Sequence, residues 1–288
     1  MKKLLKVTIT VVFSLIILSG ICFCIVRRSA FDGRDADYSA PLALADNGRD
    51  DLPFLPGEKI IYSVYYGKVK LGRAELVFQG EKEIGKIKVY LITFDTRTSY
   101  FKDFEQIFAD KNSFLPVKVI RKIKKPANFD TNIEEVYDQN NYKIKIVKKG
   151  AFLSKKMSIN KDSSIDNAIL ISYYYRTLAD YFGVKDVSVN LPTKKFNLNF
   201  KGKEIVDTGA GKFSAFVFEG DPYPFRLWLR DAPDRVPLKI EMPGMMNYSL
   251  ICKEIVNPVR DRPSLDGRRQ PEYLISNGVN DSRKGINK

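Results

Sequence analysis

The chain contains no histidine, and this limits the chemistry that it could perform. Without histidine there is no Ser-His-Asp or Cys-His arrangement, and the usual ligand of catalytic zinc is missing. Of the three cysteines, only Cys252 lies outside the N-terminal region, so a thiolate metal site is excluded as well. Catalysis would depend on carboxylate, tyrosine, lysine, serine or arginine side chains. We therefore expect a protein that is not an enzyme and that binds no cofactor and no metal.

One arginine is the strongest candidate for recognition of an anion. Arg176 directly follows the tyrosine run Tyr173–Tyr175 on a predicted helix. A partly buried guanidinium requires a negative partner. That partner is either an internal carboxylate, from Glu58, Asp95 or Asp231, or the anionic headgroup of a ligand.

Aromatic residues are the second candidate feature, since aromatic side chains on a concave face bind sugars and acyl chains. They also occur as ordinary core and strand residues. The set consists of Tyr62, Tyr65, Tyr66, Tyr173, Tyr174, Tyr175, Tyr181 and Trp228. From this set and the arginine, the predicted ligand-binding residues are Tyr62, Tyr66, Tyr174, Arg176 and Trp228.

Three carboxylates provide an alternative, a carboxylate-dependent enzyme acting on envelope glycan. Such an enzyme needs two carboxyl groups about 5–9.5 Å apart in an open cleft. Local sequence favours structural roles, because Glu58 enters the first strand after a Pro-Gly turn, and Asp231 and Asp234 flank a proline. Gly209–Lys212 lacks the full spacing of a phosphate-binding loop and predicts a hairpin turn.

Alternation of apolar and polar residues predicts a mainly β domain. In residues 142–149, for example, Tyr142, Ile144 and Ile146 alternate with lysines. The predicted strands cover residues 58–66, 73–80, 86–98, 104–109, 116–124, 132–138, 142–149, 187–191, 195–200, 203–208, 212–219, 225–229, 237–242 and 246–256. A helix is predicted over 165–182, capped by Ser163, Ser164 or Asp166 and ended by Gly183. Short strands at close spacing favour an antiparallel curled sheet, a half-barrel or barrel, with this one helix packed on it.

The N-terminal region predicts a membrane or export segment. Val7–Val26 has no charge, and three lysines precede it and two arginines follow it. Twenty residues at 1.5 Å each match a bilayer's hydrocarbon core. We favour an uncleaved anchor with the N-terminus inside, while a cleaved signal peptide and lipidation at Cys22 or Cys24 remain alternatives.

Composition divides the chain into four segments: a signal anchor or signal peptide (1–30), an acidic linker (31–52), a β-rich exported domain (53–256) and a disordered tail (257–288). Residues 53–256 carry +10 of the net charge of +14. A basic surface favours anionic partners such as lipid headgroups or acidic polysaccharide. Nucleic acid is not an expected partner of a domain outside the cytoplasm.

Several phrases of the sequence, taken in order, resemble a known family. They are Pro53–Glu58, Gly72–Ala74, Tyr173–Arg176, Thr208–Phe213, and Leu227–Asp231 leading to Arg235–Leu238. This order resembles the bacterial exported family called domain of unknown function 3108, over about residues 52–255. The resemblance implies a curled β-sheet envelope protein outside the cytoplasm, and it implies no established activity and no catalytic residues.

These observations favour an inner-membrane-anchored envelope protein whose domain lies in the periplasm, or is exported there if the signal is cleaved. The expected role is a non-catalytic binding or structural module for an apolar or amphipathic ligand, such as a lipid, an acyl chain or anionic polysaccharide, or for an envelope partner. A purely structural scaffold of an envelope complex is the remaining alternative.

Overall fold

The computed structural model describes residues 52–258, except for 152, 179, 182–186 and 243–247. The predictions for the anchor, the linker and the tail therefore lie almost entirely outside the described residues. Within the described part, the helices are all too short or too polar to cross a bilayer.

The described residues form fourteen strands and one α-helix, together with a 3-10 turn at Pro126–Asn128. The strands are β1 (Lys59–Tyr66), β2 (Val69–Ile84), β3 (Ile87–Thr98), β4 (Lys102–Asp110), β5 (Pro116–Lys124), β6 (Thr131–Asp138), β7 (Lys143–Gly150), β8 (Ser154–Asn160), β9 (Val187–Asn190), β10 (Lys195–Thr208), β11 (Gly211–Asp221), β12 (Arg226–Arg230), β13 (Pro237–Met242) and β14 (Tyr248–Val256). The helix, α1, spans Ala168–Thr177 between β8 and β9.

All fourteen strands belong to one antiparallel sheet that does not close. Its order is β8-β7-β6-β5-β4-β3-β2-β1-β14-β13-β12-β11-β10-β9. Every neighbouring pair is consecutive in the chain except β1–β14, which joins the first strand to the last. The edges are β8 and β9. The predicted class, mainly β and antiparallel with one packed helix, is confirmed.

The sheet is strongly curled, and contacts across its inner face demonstrate this. The hydroxyl of Tyr248 on β14 lies close enough to Thr96 on β3 for Thr96 to affect its pKa. Those strands are three positions apart, which would separate them by about 14 Å in a flat sheet. On α1, Tyr173 contacts Phe78 of β2 while Tyr175 contacts Phe218 of β11. The helix therefore packs on the concave face and bridges the two halves of the sheet, β1–β8 and β9–β14.

The curled sheet has two ends that differ in what covers them. At the end where β1 begins, called here the helix end, α1 and residues 52–58 pack on the inner face. Phe54 is central to this packing, with its ring edge-on to Phe78, Phe114 and Tyr173. The opposite end, called the far end, carries the turns that follow β1, β3, β5 and β7.

The helix is shorter than predicted because its caps differ from those expected. Asn167, and not Ser163, Ser164 or Asp166, is the N-cap, and its side-chain oxygen accepts from the N–H groups of Ile169 and Leu170. The Asp166 carboxylate accepts from the Asn190 N–H at 2.7 Å and so positions β9. At the other end, Leu178 is already extended, and the Arg235 side chain donates to its carbonyl oxygen.

Two strands also differ from the prediction. β8 was not predicted, because Ser154–Asn160 is polar and only Met157 and Ile159 are partly buried; pairing with β7 forms it. β10 is one strand and not two. A bulge between Phe200 and Gly202, where Gly202 has a φ of 114°, bends the strand without ending it.

Candidate functional site

Arg176 forms a closed ion pair inside the molecule. Its two terminal nitrogens donate to the Glu58 carboxylate at 2.6 and 2.7 Å, and its Nε donates to the Asp234 carbonyl oxygen at 2.9 Å. The Arg176 side chain is 0% exposed and that of Glu58 3%. The guanidinium also lies 4.6 Å from the Phe54 ring centroid. Of the three carboxylates that the sequence offered as partners of Arg176, the structure therefore selects Glu58. This ion pair connects α1 to the residue that precedes β1.

Two tyrosines flank this pair and differ in hydrogen bonding. The buried Tyr62 hydroxyl donates to the Pro237 carbonyl oxygen at 2.9 Å. The Tyr173 hydroxyl is buried and has no hydrogen-bond partner among the described residues. Burial raises the pKa of both phenols; the charge of Arg176 opposes this increase and that of Glu58 adds to it. Cys252, predicted as a core residue, is fully buried nearby, and burial raises the pKa of its thiol to about 11.

The other predicted ligand residues do not assemble around Arg176. Tyr174 is half-buried on the same helix, where burial and Asp166 raise its pKa. Tyr66 lies at the far end of β1, paired with Tyr248. Trp228 alternates with Leu227 and Leu229, which share their face with Phe216 and Phe218, so it lies on the opposite face of the sheet. There it donates to the Glu204 carboxylate at 2.5 Å.

The three carboxylates considered for catalysis are each held by a basic side chain. Glu58 pairs with Arg176, as described. Asp231 accepts from Lys203 at 2.8 Å and from the Ser214 hydroxyl at 3.1 Å. Asp234 accepts from the Arg230 Nε at 2.9 Å. Glu58 therefore serves a buried ion pair, and Asp231 and Asp234 stabilise the turn between β12 and β13.

A second polar cluster on the inner face was missed in the sequence. Its centre is Arg121 on β5, whose Nε donates to the two oxygens of Asp103 at 2.9 and 3.0 Å and lies 3.2 Å from a Glu105 oxygen. On β6, Glu135 accepts from the Tyr137 hydroxyl at 2.6 Å. Two carboxylates thus contact one guanidinium, and a third lies near enough to interact with its charge, which is an excess of negative charge in an interior region.

The titration behaviour of this cluster follows from that excess. Burial raises the pKa of Glu105 to about 7, and Asp103 and Glu135 raise it while Arg121 lowers it. Burial also raises the pKa of Glu135, against the hydrogen bond from Tyr137 and the charge of Arg121. Near neutral pH the cluster therefore holds an ionisable proton.

The Arg121 cluster is not sealed in the core, and the partly accessible region around it on the inner face is called here the recess. The side chains of Arg121 and Glu105 keep 27% and 16% of their surface accessible, although protein surrounds them closely enough to desolvate the carboxylates. Tyr248, whose pKa is raised by burial and then by Asp103 and Glu105, faces the cluster from β14. Asp103 is the second residue of β4 and Tyr248 the first of β14, so the recess lies toward the far end.

A signal for this cluster is present in the sequence. Arg121 takes the inward position between Val119 and Ile123, and Glu135 takes that between Ile133 and Tyr137. A charged residue that interrupts an apolar series of period two points into the core. In the described part of the chain, no group of three or more histidine, cysteine, aspartate or glutamate side chains is arranged to hold a metal ion.

The family model for DUF3108, described as a protein of unknown function, matches residues 61–248. The chain belongs to this family. The match extends from β1 to the start of β14 and so includes the Arg121 cluster and α1, whereas Glu58 precedes it. The resemblance seen in the sequence is therefore confirmed.

Two solved structures of bacterial proteins are similar to this chain at low sequence identity. A β-barrel-like protein of domain of unknown function DUF1849 from Brucella abortus is 10% identical, with 72% of this chain and 99% of that chain covered at a TM-score of 0.46. A candidate exported protein with a YmcC-like fold from Bacteroides fragilis is 10% identical, with 72% and 98% covered at a TM-score of 0.28. No curated protein matches the sequence.

Proposed function

We propose that this DUF3108 protein is a non-catalytic binding module of the bacterial cell envelope, and that its ligand is amphipathic. The polar part of the ligand would contact Arg121, Glu105 and Tyr248 in the recess. The apolar part would lie along neighbouring inward side chains such as Phe94 and Ile123. An uncleaved N-terminal anchor would hold the domain at the inner membrane, on the periplasmic side.

The observation that supports this proposal is the incomplete neutralisation of the Arg121 cluster. A buried ion pair serves structure only when its charges are balanced and fully hydrogen-bonded, because desolvation of each ion costs several kcal/mol. Asp103 alone can balance the single positive charge of Arg121, so the charges of Glu105 and Glu135 are in excess. Burial raises the pKa of both glutamates. A hydrogen-bond-donating or cationic group of a ligand would complete the cluster.

The position of α1 also supports a site in this recess. The helix and Phe54 fill the inner face at the helix end. The interior there is packed by aromatic contacts and by the Arg176–Glu58 pair. The Arg121 cluster lies outside that packing, toward the far end. The inner face is therefore filled by packed side chains at the helix end, and it carries accessible polar groups toward the far end.

Native mass spectrometry of the full chain, released from mild detergent, tests the proposal. We expect a co-purifying species in the wild type, and its loss in Arg121→Met and Glu105→Gln. Arg97→Met is the matched control, since Arg97 is half-exposed and pairs with Asp95 outside the recess. Absence of any bound species, or equal occupancy in all variants, would contradict the proposal.

A carboxylate-dependent enzyme acting on envelope glycan is the second candidate, and one observation favours it. Glu105 and Asp103 lie side by side against the Arg121 Nε, at 3.2 Å and 2.9 Å, and burial raises the pKa of Glu105 to about 7, as in the general acid of a glycosidase. Turnover of purified glycan that disappears in Glu105→Gln would support it. If the ligand binds and is then released without any chemical change, the result would support the binding module instead.

A further inference from the structure

The far end of one half of the sheet is strongly basic. Its turns, with the described residues 67–68, 99–101, 125–130, 151 and 153, together with the strand residues beside them, are called here the far-end rim. The lysines of the rim are Lys68, Lys70, Lys102, Lys124, Lys125, Lys148, Lys149 and Lys155. Within the described part of the chain, none of them forms an ion pair. Asp130 is the exposed acid of the described rim, because Asp103 points inward.

Strand pairing brings these lysines against one another. Lys102 and Lys124 are direct partners between β4 and β5, and Lys148 and Lys155 are direct partners between β7 and β8. Like charges at opposed positions destabilise a sheet. Partial burial and the charge of Lys148 lower the pKa of Lys125. The rim therefore carries an uncompensated positive charge that an anionic surface would relieve.

Apolar side chains project from the same turns. Leu153 is 81% exposed, Val69 62% and Phe129 54%. The pairing of Thr131 with Gly150 places the turns that carry Phe129 and Leu153 side by side. Exposed apolar residues among lysines are the pattern of surfaces that enter the headgroup region of an anionic bilayer.

We propose that the far-end rim docks on an anionic lipid surface. The lysines bind phosphate headgroups, while Leu153, Phe129 and Val69 enter the boundary between headgroups and acyl chains. An acidic polysaccharide would satisfy the lysines, but it would leave these three apolar side chains in water. The recess at Arg121 lies toward the same end, so docking would place it near the lipid, although the surface contact does not require the recess to bind a ligand.

Fluorescence quenching in vesicles tests this contact with the full chain. Leu153→Trp places a probe on the rim, and Ile87→Trp places a matched probe on the exposed first residue of β3, beside the β2–β3 turn at the helix end. Both variants are reconstituted in phosphatidylcholine vesicles brominated on the acyl chains, with or without phosphatidylglycerol. Trp228 is buried and common to both, so the difference reports on the introduced probe.

We expect bromolipid to quench Leu153→Trp more than Ile87→Trp, and only when phosphatidylglycerol is present. Adding Lys124→Glu and Lys155→Glu should remove the difference, since each surface lysine contributes about fivefold in affinity. Equal quenching of the two probes, or quenching that does not depend on phosphatidylglycerol, would overturn the proposal. So would retention of the chain by soluble acidic polysaccharide without any quenching at position 153.

Discussion

The inner face of the sheet holds two arginines in opposite situations. Arg176 has one carboxylate, two short hydrogen bonds to it and no accessible surface. Arg121 has three carboxylates around it and keeps a quarter of its side chain accessible. The first arrangement is balanced and the second is not. The difference teaches that two arginines on one inner face can have unlike surroundings: the charge of Arg176 is matched by Glu58, whereas Arg121 has more carboxylates near it than it can neutralise.

The largest expected effect concerns the balanced pair. Arg176→Met leaves the Glu58 carboxylate buried and unpaired, which should lower the free energy of unfolding by about 3–5 kcal/mol. Urea denaturation measures this change. The double variant Arg176→Met with Glu58→Leu should regain most of the loss. If Arg121→Met proved equally damaging, the contrast between the two arginines would fail.

The unbalanced cluster should make stability depend on pH. Burial raises the pKa of Glu105 from 4.5 to about 7, so the folded chain binds more protons than the unfolded chain between these values. The free energy of unfolding should therefore fall as pH rises from about 4.5 to 7, by at most about 1.4 kcal/mol per pH unit. Glu105→Gln should flatten this part of the curve in thermal melts. A wild-type stability that increases over the same range would refute the assignment.

The two tyrosines beside Arg176 give a sharper test at smaller magnitude. Tyr62→Phe removes a satisfied hydroxyl and should cost about 1 kcal/mol. Tyr173→Phe removes a buried hydroxyl without a partner and should be neutral or stabilising by a similar amount. Paired urea titrations measure both, and equal losses in the two variants would contradict the hydrogen bonding described here.

The smallest expected effect is at the far-end rim. Lys124→Glu replaces a like-charge pair with Lys102 by an opposite-charge pair, which should stabilise the fold by about 0.2–1 kcal/mol. Thermal unfolding at low salt measures it, with Lys82→Glu as a control at the other end of the sheet. A loss of stability would show that the rim lysines do not repel one another.

The β class and most strand positions were predictable, because alternation along each strand reports which side chains face the core. The strand β8 was not predictable from the sequence, because its residues are mostly polar and form a strand only by pairing with β7. The Glu58 partner of Arg176 was among the predicted alternatives. The Arg121 cluster joins side chains from β4, β5, β6 and β14, and sequence periodicity gives the face of each residue but not the strand order that brings them together.

The pairing of the first strand with the last has a mechanical consequence. Lys59 and Val256 are direct partners, so the chain enters and leaves the sheet at the same end. A force applied between residues 52 and 258 would first load the packing of Phe54 and the Arg176–Glu58 pair, and would then open the β1–β14 ladder one hydrogen bond at a time without shearing it. The β1–β14 seam is therefore the first strand pairing to yield under tension.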